Sequence, residues 1–256
     1  MIPKRIRFIT SSIILSIGFV WTQFVDDSSK FWAIAVLVMI TAVLSVWSFF
    51  EGLGKNMTLL SLVLPILFTL GVGMFWFLLP SSIYTQIPIV IFYGVGIYVL
   101  SLTMNIYTVS SQRTIALLRA ARGVGFVLTL ATSFLIYDAI LSLKIDIILN
   151  TLLIFASSLL LLMQGFWSIE LDKKLDSELL SISVISSIIM AELAFVMYFW
   201  PVTVVVGSLF LTSGVYLLLG LGQAKLEDRL FPNVVREYLT VGLIVLIGMF
   251  FATRWG

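Results

Sequence analysis

The sequence predicts an all-α fold: a polytopic transmembrane helix bundle of about nine helices, one leading helix followed by two parallel four-helix repeats. Three observations lead there. Of the 256 residues, 61% are hydrophobic and 11% charged, whereas a soluble domain carries about 25% charged residues. The apolar residues fall in runs of about twenty, the length that takes a helix across roughly 30 Å of hydrocarbon while satisfying its own backbone hydrogen bonds. Lysine and arginine gather in alternate connections between those runs, as the positive-inside rule requires.

The first helix is expected over the apolar run Phe8 to Val25, behind the basic start Lys4, Arg5 and Arg7. That arrangement is signal-like, but the run ends in Trp21-Thr-Gln-Phe-Val-Asp-Asp27 without a small-residue cleavage site, so an uncleaved helix is expected. Further helices follow at about Phe31–Phe50, Leu59–Leu79, Ile87–Ile106, Gly123–Leu143, Ile145–Trp167, Leu179–Trp200, Val202–Leu221 and Val234–Ala252. Pro65 falls inside the third and is expected to kink it. Pro201 marks a helix start after a very tight connection.

With the amino terminus in the cytoplasm, the inner segments hold Lys4, Arg5, Arg7, Lys55, Arg113, Arg119, Arg122, Lys173, Lys174, Lys225, Arg229 and Arg236, and the outer ones only Lys30, Lys144 and Arg254. A nine-helix chain then ends outside the membrane. Trp32, Trp76, Trp167, Trp200 and Trp255 fall near helix ends, where indoles prefer the interface.

The rarer residues recur along the chain. Glu51 matches Glu170, Pro80 matches Pro201, Gly96 and Tyr98 match Gly214 and Tyr216, Asn105 matches Gln223, Arg119 matches Arg236, and Gly125 matches Gly242, at offsets of 117 to 121. A spacing so steady predicts a leading segment, 1–30, and two four-helix halves, 31–143 and 144–256, that cross the membrane in the same sense.

Several chemistries are excluded. The sequence has no cysteine and no histidine, which removes disulfides, thiolate and iron–sulfur chemistry, the usual haem ligand and the commonest general base. It also has no HExxH zinc motif, no mid-helix lysine for a retinal Schiff base and no phosphate-binding glycine loop ending in lysine. No enzyme activity, metal or cofactor is expected, and a net charge of +2 does not suggest nucleic acid.

What remains is a short set of candidate polar groups. Glu192 stands inside a predicted helix, beside the small-residue stripe Ser183, Ser187, Ala191 and Ala194. It is expected to face protein, either as a proton- or cation-handling group or as a neutral acid hydrogen-bonded to a neighbouring helix. Asp138, at a comparable depth, is expected to share a polar pocket with it. Glycine pairs at 71/73, 94/96, 123/125 and 220/222 allow either broken helices or close helix approach. Arg113, Arg119 and Arg122 suggest an interfacial helix over Ser110–Arg122, matched by Lys225, Arg229 and Arg236 over Gln223–Glu237. Both would contact lipid headgroups or a cytoplasmic partner.

The runs Arg113-Thr-Ile-Ala-Leu-Leu-Arg119-Ala-Ala-Arg-Gly-Val-Gly-Phe-Val-Leu-Thr-Leu130, Phe199-Trp-Pro-Val-Thr203, Arg229-Leu-Phe231 and Arg236-Glu-Tyr-Leu239 make nearly the whole chain resemble an uncharacterised family of multi-spanning bacterial membrane proteins. That family has no assigned activity, so the resemblance implies a bacterial cytoplasmic membrane and no site residue. The expected partners are membrane lipids and a membrane-protein partner or a second copy. Two functions stay open: a non-enzymatic membrane subunit or scaffold, and a small transporter or channel using Glu192.

Overall fold

In the computed structural model, residues 3–26, 29–51, 53, 59–79, 83–111, 116–171 and 176–253 are described. They form nine α-helices and no strand: α1 (Lys4–Trp21), α2 (Lys30–Phe49), α3 (Leu60–Trp76), α4 (Ile83–Ser110), α5 (Leu118–Ser142), α6 (Ile147–Glu170), α7 (Ser177–Tyr198), α8 (Val204–Leu226) and α9 (Pro232–Ala252), with a 3-10 turn at Thr22–Phe24 after α1. Eight are long and apolar enough to cross a membrane, so the chain is a multi-pass membrane protein. The ninth, α3, has 17 residues and spans about 25 Å at 1.5 Å per residue.

The helix ends show which local signals decide a boundary. α4 begins five residues ahead of Pro88 and continues to Ser110, outrunning the expected span at both ends; Pro88 lies past the first turn and leaves the Tyr84 carbonyl without the usual helical donor. α5 begins at Leu118, so Arg119 and Arg122 lie on its first turns. α8 ends at Leu226, followed by Asp228 at φ 55°, the left-handed conformation that closes helices. Pro232 then opens α9. The two expected interfacial helices are therefore corrected. Gln223–Glu237 is the end of one span and the start of the next, and Ser110–Arg122 divides between α4 and α5, with residues 112–115 outside the described set.

The chain divides into two compact units, one holding α1–α4 and α5 through Leu128, the other the rest of α5 with α6–α9. In the first, α1 packs on α2 and α4, and α3 lies against α2 and α4. Its centre is aromatic: the Phe19 ring sits 4.8 Å from that of Tyr93 and 5.2 Å from Trp76, and Phe68 stacks on Tyr93 at 6.1 Å. Hydroxyls thread the same core. Thr69 donates to the Pro65 carbonyl at 3.0 Å and lies 3.2 Å from the Tyr93 hydroxyl and 3.1 Å from Thr41. Since the single Thr69 proton is directed to its own helix, the Tyr93 O–H is the donor across the helix pair.

In the second unit α6 packs on α7 and α8, and α8 also contacts α7 and α9. The buried side of α7 carries Ser183, Ser186, Ser187, Met190, Ala194 and Met197. Ser183 and Ser187 each donate to the carbonyl four residues back, at 2.8 and 2.6 Å, so they pack as small residues with no unpaired proton. α9 is attached more lightly. Of its residues only Met249 is buried, and it meets α8 through the Tyr216–Tyr238 rings, 5.1 Å apart, and at Gly242.

The glycine pairs do not break their helices: α3, α4, α5 and α8 run continuously through them. Most mark close approach instead. A Cβ on Gly96 would lie 2.5 and 2.7 Å from ring atoms of Phe68, and one on Gly73 3.2 Å from Ile34. Phe68 is fully buried and has no room to move. Gly96→Ala is therefore expected to destabilise by about 1–3 kcal/mol, the usual cost of overpacking. Gly248→Ala, whose Cβ meets nothing within 4 Å, is expected to be neutral or stabilising by up to about 1 kcal/mol. Tyr93→Phe is expected to lose about 0.6 kcal/mol, the average for interhelical hydrogen bonds in membranes. Reversible unfolding in mixed micelles ranks the three variants.

Candidate functional site

The polar groups expected to act together occupy different environments. Asp138 lies four residues before the end of α5 and is 4% exposed. Its carboxylate accepts from the Ser208 hydroxyl of α8 at 3.1 Å. The preceding residue, Tyr137, is fully buried, with its hydroxyl 2.7 Å from that of Ser158, which in turn donates to the Ile154 carbonyl at 2.6 Å. One turn of α5 thus sends two polar side chains in different directions, one to α6 and one to α8.

Glu192 is exposed. Its helix buries Met190 and Ala194, each two residues away and therefore about 200° around the axis at 100° per residue, so the carboxylate is on the opposite side. Its neighbours there are Ile185, Ile188, Ile189, Phe195, Val196 and Phe199, all exposed apolar side chains. The expectation that Glu192 faces protein is corrected accordingly, and so is the pocket shared with Asp138, which is buried where Glu192 is open. The buried stripe follows Ser183, Ser187, Met190 and Ala194, with Ala191 half-buried. The sixth residue before the end of α7, Glu192 stands about 9 Å from that end.

The described basic candidates lie at or beside helix ends, and two of them have ion-pair partners of their own. Lys225 Nζ is 3.2 Å from the Glu178 carboxylate, joining the end of α8 to the start of α7, and Arg229 is 3.4 Å from Glu227. Both pairs are exposed, where ion pairs contribute about 0–1 kcal/mol. Arg119 and Arg236 are exposed on the first turns of α5 and α9, and Arg122 is half-buried. Arg113 lies outside the described residues.

An ion-pair cluster that the sequence showed only as a repeat marker forms at the start of α1. Arg7 is 8% exposed. Its guanidinium donates to the Trp47 carbonyl at 3.2 Å and to the Glu51 carboxylate, while Lys4 Nζ reaches the second Glu51 oxygen at 3.2 Å. The chain signal available was a glutamate just past one helix and two cations opening another, without the information that these helices are neighbours.

Among the described residues no cluster of three or more acidic side chains that would hold a metal ion is present. A model of the family described as "Protein of unknown function (DUF5656)" matches residues 13–252. The chain belongs to this family. No curated protein and no solved structure matches it. The DUF5656 match runs from the middle of α1 to the last residue of α9, so Asp138, Glu192, Glu51 and every basic candidate from Arg113 to Arg236 lie within the family segment, whereas Lys4 and Arg7 precede it.

The Arg7 guanidinium, and then Lys4, hold the Glu51 carboxyl below the usual carboxylate range. A carboxylate with a depressed folded-state pKa contributes stability that is complete above its unfolded value, about 4.3, and is lost as pH falls through the folded value. Wild-type protein is therefore expected to lose thermal stability on acidification below about pH 4. Glu51→Gln should be less stable at pH 7 and converge on wild type in acid. A constant difference between the two across pH 3–7 would show that the anchor contributes nothing through charge.

Proposed function

We propose that the chain is a non-enzymatic membrane subunit or scaffold whose outward α7 face docks a transmembrane helix of a different protein, one bearing a lysine or arginine within the bilayer. The observation that carries this reading is the exposed Glu192 on an otherwise apolar helix face. A charged side chain near the centre of a span costs on the order of 2.5–3.5 kcal/mol in lipid, and covering it with a cation of matched depth removes that cost. A second copy of the chain supplies no such cation, because every lysine and arginine in the sequence lies at or beyond the flank of an apolar run. Charge complementarity therefore favours a different chain.

In this reading the amino terminus is cytoplasmic, the carboxyl terminus lies outside, and the membrane is a bacterial cytoplasmic membrane; the asymmetry of lysine and arginine supports the orientation. The repeat deepens it. Gly96 of α4 receives Phe68 of α3, and Gly214 of α8 receives Met190 and Leu193 of α7, so glycines 118 residues apart accept the neighbour on the preceding helix in both units. This supports duplication of a packing unit. One observation favours the transporter reading instead: Asp138 is a buried carboxylate within a span, with a hydroxyl donor on a second helix.

The two readings separate at Glu192. Photocrosslinkers at Ile188 and Val196 are expected to capture a transmembrane segment with a lysine or arginine within one turn of the crosslink. Glu192→Leu should abolish the adduct, and exchanging the charges between the two chains should restore it. Glu192→Leu should also make the isolated chain insert more favourably, by up to about 3 kcal/mol, the cost of a charge at the centre of a span. Crosslinks to lipid or to a second copy alone would overturn the subunit reading. Proton-dependent solute flux in proteoliposomes that disappears in Glu192→Gln or Asp138→Asn would establish transport in its place.

A further inference from the structure

A cleft in the second unit opens where the α5–α6 and α7–α8 connections meet. It has a volume of about 370 Å³, within the roughly 300–1,000 Å³ of small-molecule sites. Lys144, Asn150, Tyr198, Trp200, Thr203 and Gly207 are among the residues lining it. Three features distinguish it from a packing gap. Asn150 is 3% exposed, and its side-chain oxygen has no hydrogen-bond donor, a state that buried polar atoms seldom keep without a ligand or water. Lys144 is an exposed cation whose backbone has φ 49°, a left-handed conformation that glycine would adopt more easily. Trp200 is fixed at the rim, its indole N–H donating to Thr253 at 2.7 Å.

These groups ask for complementary chemistry: an anion for Lys144, a hydrogen-bond donor for the Asn150 oxygen, and an apolar or lipid-like body beside Tyr198 and Trp200. Asp138 on α5 and Ser208 on α8 each lie about one helical turn from a residue that lines the cleft, Leu141 and Val204. A carboxyl on the neighbouring turn favours a positively charged donor over a neutral one.

We propose that this cleft binds a phosphate ester of a primary amine, the phosphoethanolamine group, with its phosphate on Lys144 and its ammonium N–H on Asn150. Phosphatidylethanolamine in the membrane and a soluble phosphoethanolamine are the two sources of that group. The proposal deepens the subunit reading by naming a small-molecule contact, but it uses none of the α7 face around Glu192. A counterpart in the first unit provides an internal control. That cleft also has a lysine, Lys30, a tryptophan, Trp76, and side-chain amides, Gln23 and Gln86, but its volume is about 110 Å³. Lys30 Nζ there stands 5.3 Å from the centre of the Phe77 ring. One headgroup per chain is therefore expected.

The test is native mass spectrometry of full-length protein released from vesicles of equal phosphatidylethanolamine and phosphatidylcholine. The choline group carries phosphate and positive charge but no N–H. One phosphatidylethanolamine per chain should be retained at least tenfold over phosphatidylcholine. Lys144→Gly and Asn150→Leu should each lose that preference, whereas Lys30→Gln should keep it. Lys144→Gly is the decisive variant, because relief of the left-handed backbone should raise its thermal stability while binding is lost, which separates a binding role from a structural one. Competition by millimolar soluble phosphoethanolamine would support the site and assign its source as soluble, and no competition would assign the lipid. Equal retention of the two lipids, or unchanged preference in both cleft variants, overturns the proposal. Partner crosslinking at Ile188 and Val196 is read separately, so either reading can fail alone.

Discussion

The governing constraint is that hydrocarbon offers no hydrogen-bond partner, so each polar group placed within a span must be answered by the protein or stand out as unanswered. Most of the buried hydroxyls described meet this demand locally. Thr41, Thr69, Ser101, Ser158, Ser183 and Ser187 all donate to a carbonyl four residues back on their own helix. Such residues act as small, close-packing surfaces with their polarity turned inward along the axis. Between helices, polar contacts among the described residues include Tyr93 with Thr69, Ser11 with Ser48, Tyr137 with Ser158 and Ser208 with Asp138. Against that background, an exposed Glu192 and an unanswered Asn150 oxygen are conspicuous.

The helical architecture was legible because lipid imposes one simple rule on composition. Runs of about twenty apolar residues leave few alternatives to a spanning helix, and the expected spans all have counterparts among the nine helices. Ends were less legible near prolines and charges. Pro88 sits inside α4, and Arg119 and Arg122 sit inside α5, because a helix can begin several residues before its apolar stretch when its first turns lie outside the hydrocarbon.

The site was legible by residue type and misread by direction. Glu192 was singled out as a costly group, but its place beside Ala191 in sequence was taken for a place on the stripe through Ser183, Ser187, Ala191 and Ala194, whose centre lies about 145° away from it at 100° per residue. Burial of Met190 in place of Ala191 moves that centre by only about 25°, further from Glu192. The cleft could not have been read from sequence. Lys144 and Asn150 come within range of Tyr198 and Trp200 only through packing of α6 on α7 and α8, which no local pattern encodes. The Glu51 anchor was hidden for the same reason, since it depends on α1 lying beside α2.

The light attachment of α9 bears on how the chain is put together and taken apart. A helix with a single buried side chain is held mainly by its contacts with α8. Its departure would uncover little besides one side of α8. Fraying of the second unit should therefore start at the carboxyl end, with the Trp200–Thr253 hydrogen bond as the latch that resists it. Amide exchange along α9 would then run ahead of exchange in α6, giving the second unit a soft edge and a firm interior.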